Sequence, residues 1–291
     1  MKAWILALRP KTLTAAVVPV VVATAIVHAE GYPVIWWVSI CALFSALFIQ
    51  IGTNFVNDAI DFKKGADTET RTGPQRVTQS GLLSPKQVMF GAYVCFALAF
   101  ALGIPLVIQG GWPVVVVGIV SLLLAYGYTG GPFPLAYKGL GDLFVILFFG
   151  LIAVATTFFI HTGTVTETAI VAGLQIGFLA TVLIAVNNLR DAPQDALVGK
   201  KTLAVRFGVN FARFEIAFLV IAPYCLGIAY YLKPHFSAAI LPVIAVPIAR
   251  RVLKGVFTNA PGPIYNQFLA MAALLHLGFG ILLAVGFWLR N

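Results

Sequence analysis

Nine stretches of this chain are apolar over about the 20 residues that one bilayer crossing requires, and no soluble module lies between them. They cover residues 12–28, 34–57, 87–108, 112–129, 142–161, 168–189, 214–232, 236–250 and 267–289. Inside lipid every backbone N–H and C=O must be satisfied within the segment, so runs of this kind are helices. The chain is therefore expected to be an all-α membrane protein with nine transmembrane helices, the eighth interrupted by Pro242 and Pro247. Charged residues are 10% of the sequence, against roughly 25% in a soluble domain. No Ser- or Pro-rich linker and no low-complexity run divides it, so residues 1–291 read as a single domain.

A net charge of +9 would, in a soluble chain, suggest nucleic acid or an anionic surface. Its distribution argues against nucleic acid. If the first helix enters from the cytoplasm, every one of the 19 basic residues except Lys233 and Arg290 falls on one side. The positive-inside rule then puts the N-terminus in the cytoplasm and the C-terminus outside, after an odd number of crossings. Cys41, Cys95 and Cys225 lie within spans at no paired spacing and read as small apolar fillers.

Against this background, half of the ten acidic residues gather in two places: Asn54, Asn57, Asp58 and Asp61 with Asp67 beyond, and Asn187, Asn188 and Asp191 with Asp195. An aspartate at the centre of a membrane helix costs about 2.5–3.5 kcal/mol, so acids at membrane level point to function. Positions 54, 57, 58 and 61 share one helix face. The second set repeats the spacing, with Pro193 expected to unwind the turn that carries Asp195. Carboxylate and amide oxygens with no His or Cys beside them suit Mg²⁺, which usually bridges one or two carboxylates to substrate phosphates.

Lys63, Lys64, Arg71, Arg76, Arg190, Lys200 and Lys201 flank the acids and suit phosphate, although the positive-inside bias alone also accounts for them. The segment from Tyr126 to Asp142, rich in Gly and Pro and carrying Tyr128, Tyr137 and Lys138, reads as a third wall or as a tight turn with interfacial aromatics. Ser84-Pro85-Lys86-Gln87 predicts a capping box that starts the third span. The long polar loop before it is expected to lie over the site as a lid. Because a similar basic segment follows the second cluster, the two halves suggest a weak internal duplication.

The stretches NFVNDAIDFKKGADTETRTGPQRVTQSG, YTGGPFPLAYKGLGD and NNLRDAPQDALVGKKTLAVRFG, with LRPKTL near the N-terminus, resemble the UbiA-type intramembrane aromatic prenyltransferases. Within them the resemblance is narrowest to the menaquinone-pathway branch that acts on 1,4-dihydroxy-2-naphthoate, and it covers essentially the whole chain. It implies a UbiA-type helix bundle in the cell (inner) membrane, with its active site on the cytoplasmic side. The implied reaction transfers a polyprenyl group from polyprenyl diphosphate to the naphthoate, with loss of carbon dioxide and diphosphate, giving demethylmenaquinone. Mg²⁺ is the implied cofactor. Another aromatic acceptor, such as 4-hydroxybenzoate or homogentisate, stays open at this point, as does a secondary transporter.

Residue by residue, the first motif of that family maps onto Asn57, Asp58 and Asp61, with its last acid at Asp67, six residues after Asp61 where many relatives have four. The second maps onto Asp191 and Asp195. The resemblance thus implies Asp58, Asp61, Asp191 and Asp195 as catalytic residues and these with Asp67 as the metal set. Asn54, Asn57, Lys63, Arg71, Arg76, Tyr128, Tyr137, Lys138, Asn187, Asn188, Arg190 and Lys201 are the expected substrate-binding residues. Phe44, Phe48, Phe144, Phe148, Phe149 and Phe158 are expected either to line a tunnel for the isoprenoid tail or to face lipid.

Overall fold

The computed structural model describes residues 2–66, 72–231 and 235–289, and every regular element among them is helical. A short α1 (Lys2–Leu8) and α2 (Thr14–Ala29) are joined through Arg9, whose φ of 51° sits in the left-handed region, and the two arms meet at a bend of 52°. Then follow α3 (Trp36–Lys63), α4 (Pro85–Gly110), α5 (Trp112–Gly127), α6 (Gly141–Thr162), α7 (Glu167–Leu197), α8 (Leu203–Tyr231), α9 (Phe236–Thr258) and α10 (Tyr265–Trp288).

Seven of these are long and apolar enough to cross a membrane, eight if the bent α1–α2 pair is one span; α5, with 16 residues, is shorter. Each of the nine expected stretches contains a helix among the described residues, but length and composition support seven or eight crossings. The large apolar side chains that point outward agree with lipid as solvent: Ile108 is 80% exposed, Trp112 73% and Phe90 69%. In water a surface of that kind would aggregate. The protein is a multi-pass membrane protein.

Several boundaries follow from local chemistry. Ser84 and Gln87 form the expected capping box at the start of α4, with Pro85 at its first turn. Pro242 and Pro247 do not end α9: Leu241–Ala245 tightens into a 3-10 turn and the helix runs on to Thr258, past the expected end at residue 250. α8 starts at Leu203, earlier than expected, and breaks at Gly208, where φ is 83°.

α7 is the central column, with 72% of its apolar window buried, against 33% for α3 and 22% for α4. Its crossing with α6 is made by glycines. A Cβ on Gly177 would lie 2.5 Å from the Ile146 carbonyl oxygen, and one on Gly150 would lie 2.3 Å from the Gly173 carbonyl oxygen. Small residues let two membrane helices meet backbone to backbone. At that contact α6 opens into a π-helical turn over Leu147–Ile152, a departure often found at functional sites. Gly177→Val is expected to push the two helices apart and cost about 1–3 kcal/mol. A thermal midpoint measured in detergent should fall well below that of Gly278→Val, where an added Cβ meets nothing within 4 Å.

Candidate active site

α3 and α7 stop in the same way, and the stop fixes one aspartate on each. At the end of α3 the Gly65 N–H donates to Phe62 O at 3.1 Å and the Ala66 N–H to Asp61 O at 2.9 Å. At the end of α7 the Gly199 N–H donates to Ala196 O at 3.3 Å and the Lys200 N–H to Asp195 O at 2.9 Å. Both glycines are left-handed, with φ of 71° and 72°. This is the Schellman ending, and glycine adopts its left-handed residue without a steric penalty. Asp61 and Asp195 therefore hold equivalent positions on two helix ends. Pro193, expected to unwind the turn before Asp195, is instead carried inside α7. It removes one backbone N–H, but the closing bonds at Gly199 and Lys200 and the burial of Asp191 and Asp195 hold the last turn helical.

Between the two helix ends lies a cavity of about 440 Å³. Asn54, Asn57, Asp58 and Asp61 line it from α3, and Asn187, Asn188, Asp191 and Asp195 from α7. Arg9, Lys11, Arg76 and Lys200 supply the cations. A second cavity of about 230 Å³ is walled by apolar side chains such as Ile49, Leu106, Val117, Phe148 and Ile152. The two share Ala15, Thr53, Tyr128, Val145 and Phe149. A charged chamber and an apolar chamber thus meet at one junction, which suits an amphiphile with an anionic head and a hydrocarbon tail. Of the expected tunnel phenylalanines, Phe144, Phe148 and Phe149 line the apolar chamber. Phe44 is 47% exposed on the outer face, Phe48 packs against the smaller apolar cluster that includes Phe55, and Phe158 is buried in the main core.

The acids differ in what holds them. Asp61 accepts at Oδ1 from the Tyr137 hydroxyl at 2.8 Å. Asp195 pairs with Lys200 at 3.2 Å. Asp191 receives both Nε and Nη2 of Arg190 at 2.7 Å and the Thr72 hydroxyl at 3.1 Å. Asp58, 1% exposed, is committed to the loop: it accepts from the Thr78 N–H at 3.1 Å and from the Thr78 hydroxyl, with Arg9 4.0 Å away. The loop after α3 therefore reaches both clusters, Thr72 on α7 and Thr78 on α3, while Pro74, Gln75 and Arg76 face the cavity between them. That is the expected lid. Thr78→Val removes one of its two anchors, a loss of about 1–3 kcal/mol if a buried acceptor is left short of a donor. Backbone amides at residues 72–84 are then expected to exchange hydrogen faster than in the wild type.

Several expected binding residues stand elsewhere. Asp67 and Arg71 lie outside the described residues. Lys63 and Lys201 are exposed, and Lys138 stacks 5.4 Å from the Phe133 ring centroid; none lines the cavity. Of their neighbours, Lys200, just past the left-handed Gly199, lines the cavity, whereas Lys64 is exposed and does not. Lys64 donates to Thr129 O at 2.8 Å and sits 4.1 Å from the Tyr137 ring, while Lys200 meets Asp195. Arg190 is 2% exposed and also binds Asn187 and Asn266, so it braces α7 against α10 from behind the cavity. Asn54 likewise braces, donating to Leu8 O and Thr12 Oγ1. The loop before α6 does form the third wall, pinned where Gly139 approaches Lys201: a Cβ there would lie 2.5 Å from the Lys201 carbonyl oxygen.

Arg9 and Lys11, which line the cavity from the LRPKTL stretch, are binding groups beyond those expected from the sequence. Thr78, which holds Asp58, is marked by nothing in the sequence pattern.

The donor set suits a hard divalent ion that is completed by phosphate. Asn57 Oδ1 is buried with no hydrogen-bond partner among the described residues, and Asp195 Oδ2 is buried with Lys200 Nζ 3.2 Å away. No three His, Cys, Asp or Glu among the described residues form a ready metal cage, and Mg²⁺ is seldom held by one.

The sequence pattern of the UbiA prenyltransferase family matches residues 16–272. The chain belongs to this family. It is 31% identical to the 1,4-dihydroxy-2-naphthoate octaprenyltransferase of Haemophilus influenzae, over 98% of this chain and 96% of that protein. It is 33% identical to the one from Bacillus subtilis, over 96% of this chain and 89% of that protein. Its fold is that of a UbiA homolog from Archaeoglobus fulgidus bound to DMAPP and Mg²⁺, with a TM-score of 0.60 at 17% identity, covering 97% and 99% of the two chains.

Proposed function

We propose that this UbiA family member transfers a polyprenyl group from polyprenyl diphosphate to 1,4-dihydroxy-2-naphthoate, with loss of carbon dioxide and diphosphate, giving demethylmenaquinone in menaquinone formation. The observation that carries the reading is the meeting of a charged and an apolar chamber at Tyr128, Val145 and Phe149. Relatives named for the naphthoate reaction at 31% and 33% identity support the acceptor. The A. fulgidus protein, bound to DMAPP and Mg²⁺, supports the donor class and the ion.

The donor's head lies among the acids and its tail in the apolar chamber. Asp61, Asp191 and Asp195, with Asn57, would hold Mg²⁺; Asp58 has the lid to hold instead. Bound Mg²⁺ neutralises the diphosphate and stabilises it as a leaving group. Arg9, Lys11, Arg76 and Lys200 take up the charge that grows on the diphosphate as the C–O bond breaks. The apolar junction keeps water from the allylic cation left behind. The ring carbon bearing the carboxylate attacks that cation, and carbon dioxide departs without the bonding pair, which restores the aromatic ring.

We read residues 1–291 as one domain that crosses the membrane nine times, α5 included, with the N-terminus cytoplasmic, the C-terminus outside and the charged chamber facing the cytoplasm. The clustering of basic residues at the cavity end of the helices supports this orientation. Membranes containing the protein, given Mg²⁺ and geranylgeranyl diphosphate, are expected to prenylate dihydroxynaphthoate and not 4-hydroxybenzoate or homogentisate. EDTA should stop the reaction and added Mg²⁺ restore it. Turnover of another acceptor in preference, or full activity in EDTA, would overturn the reading.

A further inference from the structure

One acid in the charged chamber belongs to neither Asn/Asp cluster. Asp142, at the start of α6, is 5% exposed, lines the polar cavity, and its Oδ1 accepts no hydrogen bond among the described residues. A buried carboxylate oxygen left without a donor is disfavoured unless a ligand supplies one. Its place narrows what that ligand group is. Val145, one turn along α6, and Phe149 belong to the junction of the two chambers. Tyr128 belongs there too, and its hydroxyl lies against Gly141, where an added Cβ would be 2.9 Å away. Asp142 thus stands beside the point where the head of a prenyl donor gives way to its tail.

Three ligand groups come to that point. Diphosphate is an anion and repels a carboxylate. The prenyl C1 and its neighbours carry no polar hydrogen. The aromatic acceptor brings phenolic hydroxyls, which are donors.

We propose that Asp142 is the acceptor-positioning residue: its carboxylate accepts a hydrogen bond from a ring hydroxyl of the hydroxylated aromatic acid and turns the ring carbon toward C1 of the donor. This rests on the prenyl-transfer reading above. The contact does two things. A negative acceptor on the phenolic proton pushes electron density into the ring, which makes its carbon a better nucleophile. It also repels the acceptor's own carboxylate, so the ring enters with that group turned toward the cavity cations rather than toward α6. Lys200, which lines the same cavity, is already held by Asp195 at 3.2 Å, so Asp142 keeps its hydrogen-bonding capacity for the ligand.

The test is steady-state kinetics of the purified protein with Mg²⁺, geranylgeranyl diphosphate, dihydroxynaphthoate and its two mono-O-methyl ethers. In Asp142→Leu, kcat/KM for dihydroxynaphthoate is expected to fall about 10- to 100-fold, the size of a hydrogen bond to a charged group, while KM for geranylgeranyl diphosphate and the Mg²⁺ requirement stay unchanged. Wild type should discriminate against one of the two ethers, and the variant should lose that discrimination. Asp142→Ala, which likewise removes the acceptor and is the smaller change, carries the same comparison if Asp142→Leu fails to fold, with the thermal midpoint as the check. An ether preference identical in wild type and variant, or a rise in the donor's KM alone, overturns the assignment. Failure of the wild type to prenylate dihydroxynaphthoate is a separate result: it removes the functional reading itself, and the assignment with it.

Discussion

Asp61→Asn and Asp195→Asn are each expected to slow prenyl transfer by at least about a hundredfold, the scale of losing one preorganised electrostatic contact at a transition state. Both should leave the thermal midpoint in detergent near wild type. The two acids sit at equivalent stops of α3 and α7, and neither is the sole anchor of a neighbouring element. Asp61 takes one hydrogen bond from Tyr137, and Asp195 pairs with a partly exposed lysine. An asparagine fits either place and keeps much of that bonding, so what is lost is the charge facing the cavity. The double variant should lose much less than the sum of the two single effects, since residues serving one ion and one diphosphate act as a unit. Asp58→Asn makes the contrast. Its carboxylate holds Thr78, so its effect should fall on the lid, with a smaller loss of rate and faster hydrogen exchange over residues 72–84.

Arg190→Leu is expected to be the most destabilising single change at the site, on the order of 3–5 kcal/mol, because it leaves the Asp191 carboxylate buried without its cation. The guanidinium binds Asp191 through two nitrogens and reaches Asn187 and Asn266 besides. Asn266 in turn donates to Thr72 O at 3.0 Å, so the same brace carries the lid. Arg190→Lys should recover little, since a single ammonium cannot replace a planar fork. Replacing both members, Arg190→Met with Asp191→Met, should restore much of the stability without restoring activity, as apolar pairs often substitute for buried ion pairs. Thermal unfolding in detergent, read beside turnover, separates these outcomes.

The acids were legible in the sequence because a membrane chain tolerates so few of them, and the bundle because lipid leaves the backbone no other choice. What could not be read was decided by angles. Lys200 and Lys201 are adjacent, and the left-handed turn at Gly199, not composition, leaves Lys200 on the cavity and Lys201 exposed. Arg190 looked like a phosphate ligand and is a brace, because its side chain turns back onto its own neighbour. The equivalence of Asp61 and Asp195 was written as an aspartate four residues before a glycine, but it acquires meaning only when both glycines are seen to be left-handed. Asp142 stood at the end of a turn read as a wall for its tyrosines, its lysine and this acid, with no separate role for the acid. Its relation to Tyr128 and Val145 depends on how α6 packs on α7 through Gly150, Gly173 and Gly177.

The central claim is that the two helix ends act together on one metal-bound diphosphate. Electron paramagnetic resonance of Mn²⁺ tests it most directly, with purified protein titrated in the presence and absence of geranylgeranyl thiolodiphosphate, whose C–S bond resists ionisation. The account predicts tight Mn²⁺ binding only when the diphosphate is present, and its loss in Asp61→Asn and Asp195→Asn alike. Mn²⁺ binding that is indifferent to the diphosphate, or that survives in either variant, would contradict it.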